Sequence, residues 1–114
     1  MTLVGIFVAY AGGGRFLTHD SDGVLYFEGS RGLLKRFFDL GYGGFCIGGV
    51  IVFRHPHYLA NTRLVRHEKR HFRQFQVLGV LMPLAYAGAS LVALVRGGDA
   101  YWDNWFEVDA RAAE

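Results

Sequence analysis

The chain has 114 residues, 52% hydrophobic and 16% aromatic, with 19% charged and a formal net charge of +2. That is enough for one compact domain, residues 1–114, and too few for two. The composition excludes a disordered, solvating chain, and so small a net charge points to neither nucleic acid nor an anionic membrane.

From the N-terminus, Thr2 to Tyr10 is rich in Val, Ile, Phe and Tyr and reads as a buried strand. It lacks the positive leading region of a secretory signal, and a remnant export or membrane segment is the alternative. Arg15 to Thr18 and Val24 to Glu28 flank Asp22-Gly23, a hairpin turn signal. Leu33 to Leu40 predicts a short helix stopped by Gly41. Gly44 to Phe53 (GFCIGGVIVF) reads as one glycine-bearing strand ended by Arg54-His55-Pro56. The first half is thus expected to form a small, mostly antiparallel sheet.

Three helices are expected to follow, giving an α+β fold. Asn61 or Thr62 caps the first, which runs to Leu78 with Gly79 past its end. Pro83 stands at the first turn of the second, closed by Arg96-Gly97-Gly98. LAYAGASLVAL is apolar nearly all round, the pattern of a buried helix. Leu81 to Val95 is shorter than the roughly 20 residues of a spanning helix. No span is expected from it, and lying against a membrane is the alternative. The expected location is cytoplasmic, or peripheral to a membrane. Asn104 opens the third helix, which runs close to the C-terminus.

The first of these helices carries the chemistry, in VRHEKRHFRQFQ. At 3.6 residues per turn, Leu64, Val65, Phe72, Phe75 and Leu78 share one arc. Glu68 and His71 fall inside that arc and His67 at its edge. Arg63, Arg66, Lys69, Arg70 and Arg73 fall opposite. Two imidazoles four residues apart reach one ion, and the glutamate after the first flanks it as a base. This is the H-E-x-x-H pattern of zinc peptidases, with Glu68 as general base. The plainer alternative makes His67 and His71 core-edge histidines bonded to carbonyls, with Glu68 paired to an arginine.

Cys46 is the only cysteine, so no internal disulfide or all-cysteine zinc site is possible. A third ligand must come from His19, His55, His57 or a later carboxylate among Asp99, Asp103, Glu107, Asp109 and Glu114. Gln74 and Val77 stand where a metzincin needs its glycine and third histidine, which removes that class. Glu107 leads, because a connecting helix would bring it back beside the first. Its other role is a capping pair with Asn104. Asp103 and Asp109 are fallback ligands, or groups that orient a liganding histidine.

RHEKRHFRQFQVLGVLMPLAYAGASL followed by GGDAYWDNWFEVDARAAE resembles a family of short, uncharacterised bacterial H-E-x-x-H proteins. Its pattern is H-E-x-x-H-x-x-Q, an aromatic-Gly-Pro-Tyr stretch, then Asn-Pro-Phe-Glu and an alanine. His67, Glu68, His71, Gln74, Gly79, Pro83, Tyr86, Asn104, Phe106, Glu107 and Ala110 match it. The likeness spans roughly residues 44 to 114 and departs at Trp105, where the family has proline, and at Cys46, where threonine is usual. More widely, the chain is similar to minimal gluzincins, whose third ligand is a downstream glutamate. The resemblance implies Glu107 as ligand.

The expected function is a zinc-dependent hydrolase, a small gluzincin-type metallopeptidase acting on a peptide or protein. His67, His71 and Glu107 would hold Zn2+. Tyr101, Tyr58 and His57 are candidates to stabilise the oxyanion, and Gly44 to Phe53 could take a substrate as an added strand. The alternatives are a non-catalytic zinc-binding module and a metal-free basic protein associated with a membrane or nucleic acid. The arginine-rich face reads as solvated, or as docking an anionic partner. It lacks the interleaved aromatics of a single-strand nucleic-acid surface.

Overall fold

In the computed structural model, which describes residues 2–114, two elements turn back to back and give the sheet its core strand. Strand β1 (Arg15–His19) pairs antiparallel with β2 (Leu25–Glu28) around the expected Asp22-Gly23 turn. Helix α2 (Gly32–Phe38) follows. The stretch read as one strand from Gly44 to Phe53 is instead a hairpin, β3 (Gly44–Ile47) and β4 (Val50–Phe53). Gly48, at φ +58°, makes the reversal that a run of ten residues conceals. Strand β4 inserts beside β2 in parallel, so the order is β1-β2-β4-β3 and the sheet is mixed, with the other two pairings antiparallel, roughly as expected.

Both faces of the sheet are covered, which explains why VIVF is apolar at every position. Phe27, Val50 and Val52 point to one side, with Leu34 and Phe38 of α2. Tyr26, Ile51 and Phe53 point to the other, against Leu64, Val65 and Phe72. Those three belong to α3 (Thr62–Leu78), capped by the Asn61 side chain, which accepts the Leu64 N–H at 3.1 Å. The apolar arc expected of this helix is the one that lies on the sheet.

Thr2 to Tyr10 is not a strand. It forms α1 (Thr2–Ala11), laid on the first face of the sheet with Gly5 and Ala9 buried. Its β-branched and aromatic residues favour a strand only where a sheet edge accepts them. Here Gly5 and Ala9, four apart, let the helix approach β4 closely. A Cβ at Gly5 would lie 2.5 Å from the Ile47 carbonyl oxygen and 2.8 Å from Val50 Cβ. The Thr2 hydroxyl accepts the Gly49 N–H at 3.0 Å and pins the helix start to the β3–β4 turn.

The last two helices are α4 (Met82–Val95) and α5 (Trp105–Ala112), as expected from Pro83 and Asn104. The α+β class holds, with α3, α4 and α5 after the sheet. Helix α4 departs from expectation in one respect. It is not buried: Met82 and Ala93 are, while Leu84, Leu91, Leu94 and Val95 face outward. A 3-10 turn, Gly79–Leu81, joins it to α3. The helical run Thr62–Val95 is therefore long and apolar enough to cross a membrane, which Leu81 to Val95 alone is not.

The close approach at Gly5 has a measurable cost. Gly5→Ala should destabilise the fold by about 1–3 kcal/mol, as overpacking does. Gly88→Ala, at an α4 position with nothing within 4 Å of a new Cβ, should stabilise it by about 0.5–1 kcal/mol. Denaturant midpoints of the two variants should move in opposite directions.

Candidate metal centre

Two helices meet at one carboxylate. His67 and His71 lie one turn apart on α3, and Glu107 sits in the first turn of α5; all three are buried. Glu107 Oε1 is 3.0 Å from His67 Nε2 and 3.1 Å from His71 Nε2. Any pair of their donor atoms lies within 4.8 Å, so the group could hold a metal ion.

The far side of each imidazole is also held. His67 Nδ1 donates to Glu114 Oε2 at 2.8 Å, and His71 Nδ1 donates to Gln74 Oε1 at 2.8 Å. A carboxylate or amide oxygen only accepts, so the Nδ1 proton is fixed. Each Nε2 then either carries a second proton or turns its lone pair to a cation. This is the arrangement that orients metal-binding histidines. Glu107 is steadied in turn by the Tyr86 hydroxyl, which donates to Oε2 at 2.7 Å.

Electrostatics express the same demand for positive charge. Burial works against a charged His67, yet Glu107, Glu114 and Glu68 outweigh it and raise its pKa to about 9. Burial likewise lowers that of His71, and Glu107 and Glu68 raise it above its ordinary value. Burial favours a protonated Glu107, but hydrogen bonds from His67, His71 and Tyr86 hold it far below the usual carboxylate range. A cation at the Nε2 atoms would meet the same need without two buried imidazolium charges.

Glu68 is different. It is buried, and among the described residues its Oε2 has no hydrogen-bond partner. Burial drives its pKa up, His71 and His67 pull it down, and it stands at about 7. With His71 and Glu107 it borders a cavity of about 500 Å³, whose walls include Tyr42, Phe45, Cys46, Ile47, Tyr86 and Tyr101. Burial and the Glu68 charge push the Cys46 thiol well up, so it stays a neutral wall residue, with Sγ donating to the Gly48 carbonyl at 3.4 Å.

The other carboxylates and histidines named from the sequence take other roles. Asn104 caps α5 by accepting the Phe106 N–H at 2.8 Å, so the capping role belongs to it and not to the Glu107 side chain. Asp109 accepts two bonds from Arg70, at 2.8 and 3.0 Å, and one from Gln74 Nε2 at 3.0 Å. It reaches His71 only through Gln74. Asp99 accepts the N–H groups of Tyr101 and Trp102, and Asp103 accepts that of Asp99. His55 and His57 stack on each other in the 3-10 turn Pro56–Ala60. His19 ends β1 at the surface. Of the oxyanion candidates, Tyr101 lines the cavity, while Tyr58 packs against the core under α3.

Sequence reasoning missed the supporting roles of Glu114, Gln74 and Tyr86. Gln74 had a signal, since it lies three residues after His71 on the same face. Tyr86 had one in the lone phenol of an apolar helix. Glu114, the last residue, had none. Comparison with family models, curated proteins and solved structures finds no match for this chain.

The orienting bonds carry a prediction. Glu114→Gln and Gln74→Leu should each weaken binding of a divalent metal by about 10–100-fold, read by competition with a chelating dye. Asp103→Asn, remote from the ring nitrogens, should leave affinity unchanged.

Proposed function

We propose that the chain is a zinc-dependent peptidase, with His67, His71 and Glu107 as ligands and Glu68 as general base. One observation carries this reading. Beside a donor set of two oriented imidazoles and a carboxylate stands a fourth polar group, Glu68, which is buried, unpartnered and open to the cavity. A tie between α3 and α5 needs the first three groups and has no use for the fourth. Leaving a carboxylate oxygen buried without a partner costs about 1–3 kcal/mol or more, and chemistry at the cavity would explain why that cost is borne.

The donor set of two imidazoles and a carboxylate fits zinc, which in catalytic sites takes three protein ligands and leaves one position open. Zinc held there would supply Lewis acidity and bring the pKa of water down to about 7. The chain's own groups do the remainder. With its pKa at about 7, the Glu68 carboxylate is matched to taking a proton from the attacking water and returning it to the leaving amine. Glu114 and Gln74 hold the imidazoles in one tautomer, and the Tyr86 hydroxyl keeps Glu107 turned toward them. Tyr101, on the cavity wall, offers a hydroxyl to the oxyanion. β3 is the edge strand of the sheet and borders the cavity, so an extended peptide would add to it beside Glu68. The likeness to minimal gluzincins adds to this reading.

The test separates base from ligand. Purified protein should bind about one zinc per chain, and Glu68→Gln should keep the metal while cleavage of a broad peptide library disappears. If wild type and variant behave alike on the library, peptide hydrolysis is wrong and a metal tie remains. For Glu107, melting with zinc and with chelator decides. Glu107→Gln should melt well below wild type in zinc, and the gap should nearly close under chelation, because binding energy is also folding energy. An equal gap in both conditions would remove Glu107 from the ligand set.

A further inference from the structure

We propose that the exposed apolar faces of α4 and α1 seat the protein in the headgroup–acyl boundary of an anionic lipid bilayer. This surface stands independently of the peptidase reading. Leu84, Gly88, Leu91 and Val95 recur at spacings of four and three, one stripe along the length of α4, and Val77 and Leu81 are exposed ahead of it, at the end of α3 and in the 3-10 turn. Of these, Val77, Leu84, Leu91 and Val95 are between 62% and 84% exposed. Val80, Val92 and Leu94 are exposed beside them, so the surface is wider than the narrow seam of a coiled coil. Helix α1 adds a second such face, with Leu3 81% and Phe7 72% exposed. Val4 of α1 and Met82 and Pro83 of α4 line the same cavity, so both apolar helices border it.

The borders of this surface identify a bilayer as the occupant. No charged residue occurs between Arg73 and Arg96, so the apolar stripe ends in an arginine at either side. Most of the basic face of α3 is occupied within the chain: Arg63 and Arg66 by Glu114, Lys69 by Asp20 and Asp22, Arg70 by Asp109. Among the described residues no carboxylate pairs with Arg73 or Arg96, which leaves them for phosphate headgroups. Trp105 shares a surface depression with Arg73, Val77 and Leu78, and an amphipathic ring at that border suits the lipid–water boundary.

The run Thr62–Val95 is long enough to cross a membrane, but its inner face argues for lying along one. Tyr86 donates to Glu107, and Asn104 donates to the Tyr86 carbonyl at 3.0 Å and to the Ser90 hydroxyl oxygen at 2.8 Å. A spanning α4 would draw α5, with Asp109 and Arg111, into hydrocarbon, where charges are costly. With only its outer face immersed, α4 keeps the polar cluster in protein and water.

The experiment is flotation of the full chain with phosphatidylcholine vesicles, with and without phosphatidylglycerol. Wild type should float with the anionic vesicles. Leu84→Glu with Leu91→Glu should lower its partition by at least about tenfold, and unchanged melting of this variant would show that it folds. Arg73→Gln and Arg96→Gln should each lower partition by about fivefold, on anionic vesicles only. The two tryptophans, Trp102 and Trp105, should be quenched by bromines near the headgroups. Wild type that fails to float, or flotation indifferent to the paired glutamates, overturns the proposal. So does quenching strongest at the bilayer centre, which would make α4 a spanning helix. A lipid-free dimer broken by the paired glutamates, with no flotation, would make the occupant a second copy.

Discussion

Two imidazoles and a carboxylate held within hydrogen-bonding reach in a buried site dominate this small fold. Such a cluster is stable only if every lone pair and proton is met. The α3–α5 contact is built around meeting them. Glu114 and Gln74 take the outer nitrogens, Tyr86 takes the second oxygen of Glu107, and Asn104 fixes α5 and α4 together through the Tyr86 carbonyl and the Ser90 hydroxyl. Arg70 and Asp109 lock the same helices from outside. Helix α4 touches the sheet little, and its place is set by these polar bonds more than by an apolar core. The exception within the site is Glu68, whose Oε2 goes unmet. The residue borders the cavity, from which a partner could come.

How legible this was depended on what kind of information each element carries. Helix α3 was legible because its period is written in side chains of opposite character: arginines on one arc, leucine, valine and phenylalanine on the other. The inward direction of His67, Glu68 and His71 followed from that contrast alone. Glu107 was legible from spacing and resemblance, although only the fold shows its carboxylate between the two rings. Asn104 and Asn61 were legible as caps, because capping is a local rule.

The misses came where one character runs through a whole segment. TLVGIFVAYA offers no polar face to count against, so strand and helix fit it equally, and the decision lay in Gly5 and Ala9 meeting Ile47 and Val50. Those partners are more than 35 residues away and invisible locally. GFCIGGVIVF failed in the same way, since two apolar strands and their turn read as one strand. The parallel β2–β4 pairing is a further non-local choice: β4 pairs with β2 across an intervening helix and strand.

Helix α4 shows how uniform composition can hide two opposed surfaces. Met82, Tyr86, Ser90 and Ala93 recur at spacings near the helical period and face the protein, while Leu84, Gly88, Leu91 and Val95 recur at the same period and face away. Because both rows are apolar apart from two hydroxyls, periodicity could not separate them, and the natural inference was burial on all sides. The structure denies it, with Leu84, Leu91, Leu94 and Val95 at the surface. A 114-residue domain leaves a large share of its surface in contact with the outside, and α4 carries no charged residue there. The bonds that tie α4 to the site and to α5 run through Tyr86 and Ser90, on its inner row, so charge on the outer row would have kept that helix in water without removing them. The apolar outer row is therefore not a by-product of holding Glu107 in place. It is a second requirement on the same helix, and a surface that seeks a non-aqueous neighbour is the physical reading of it.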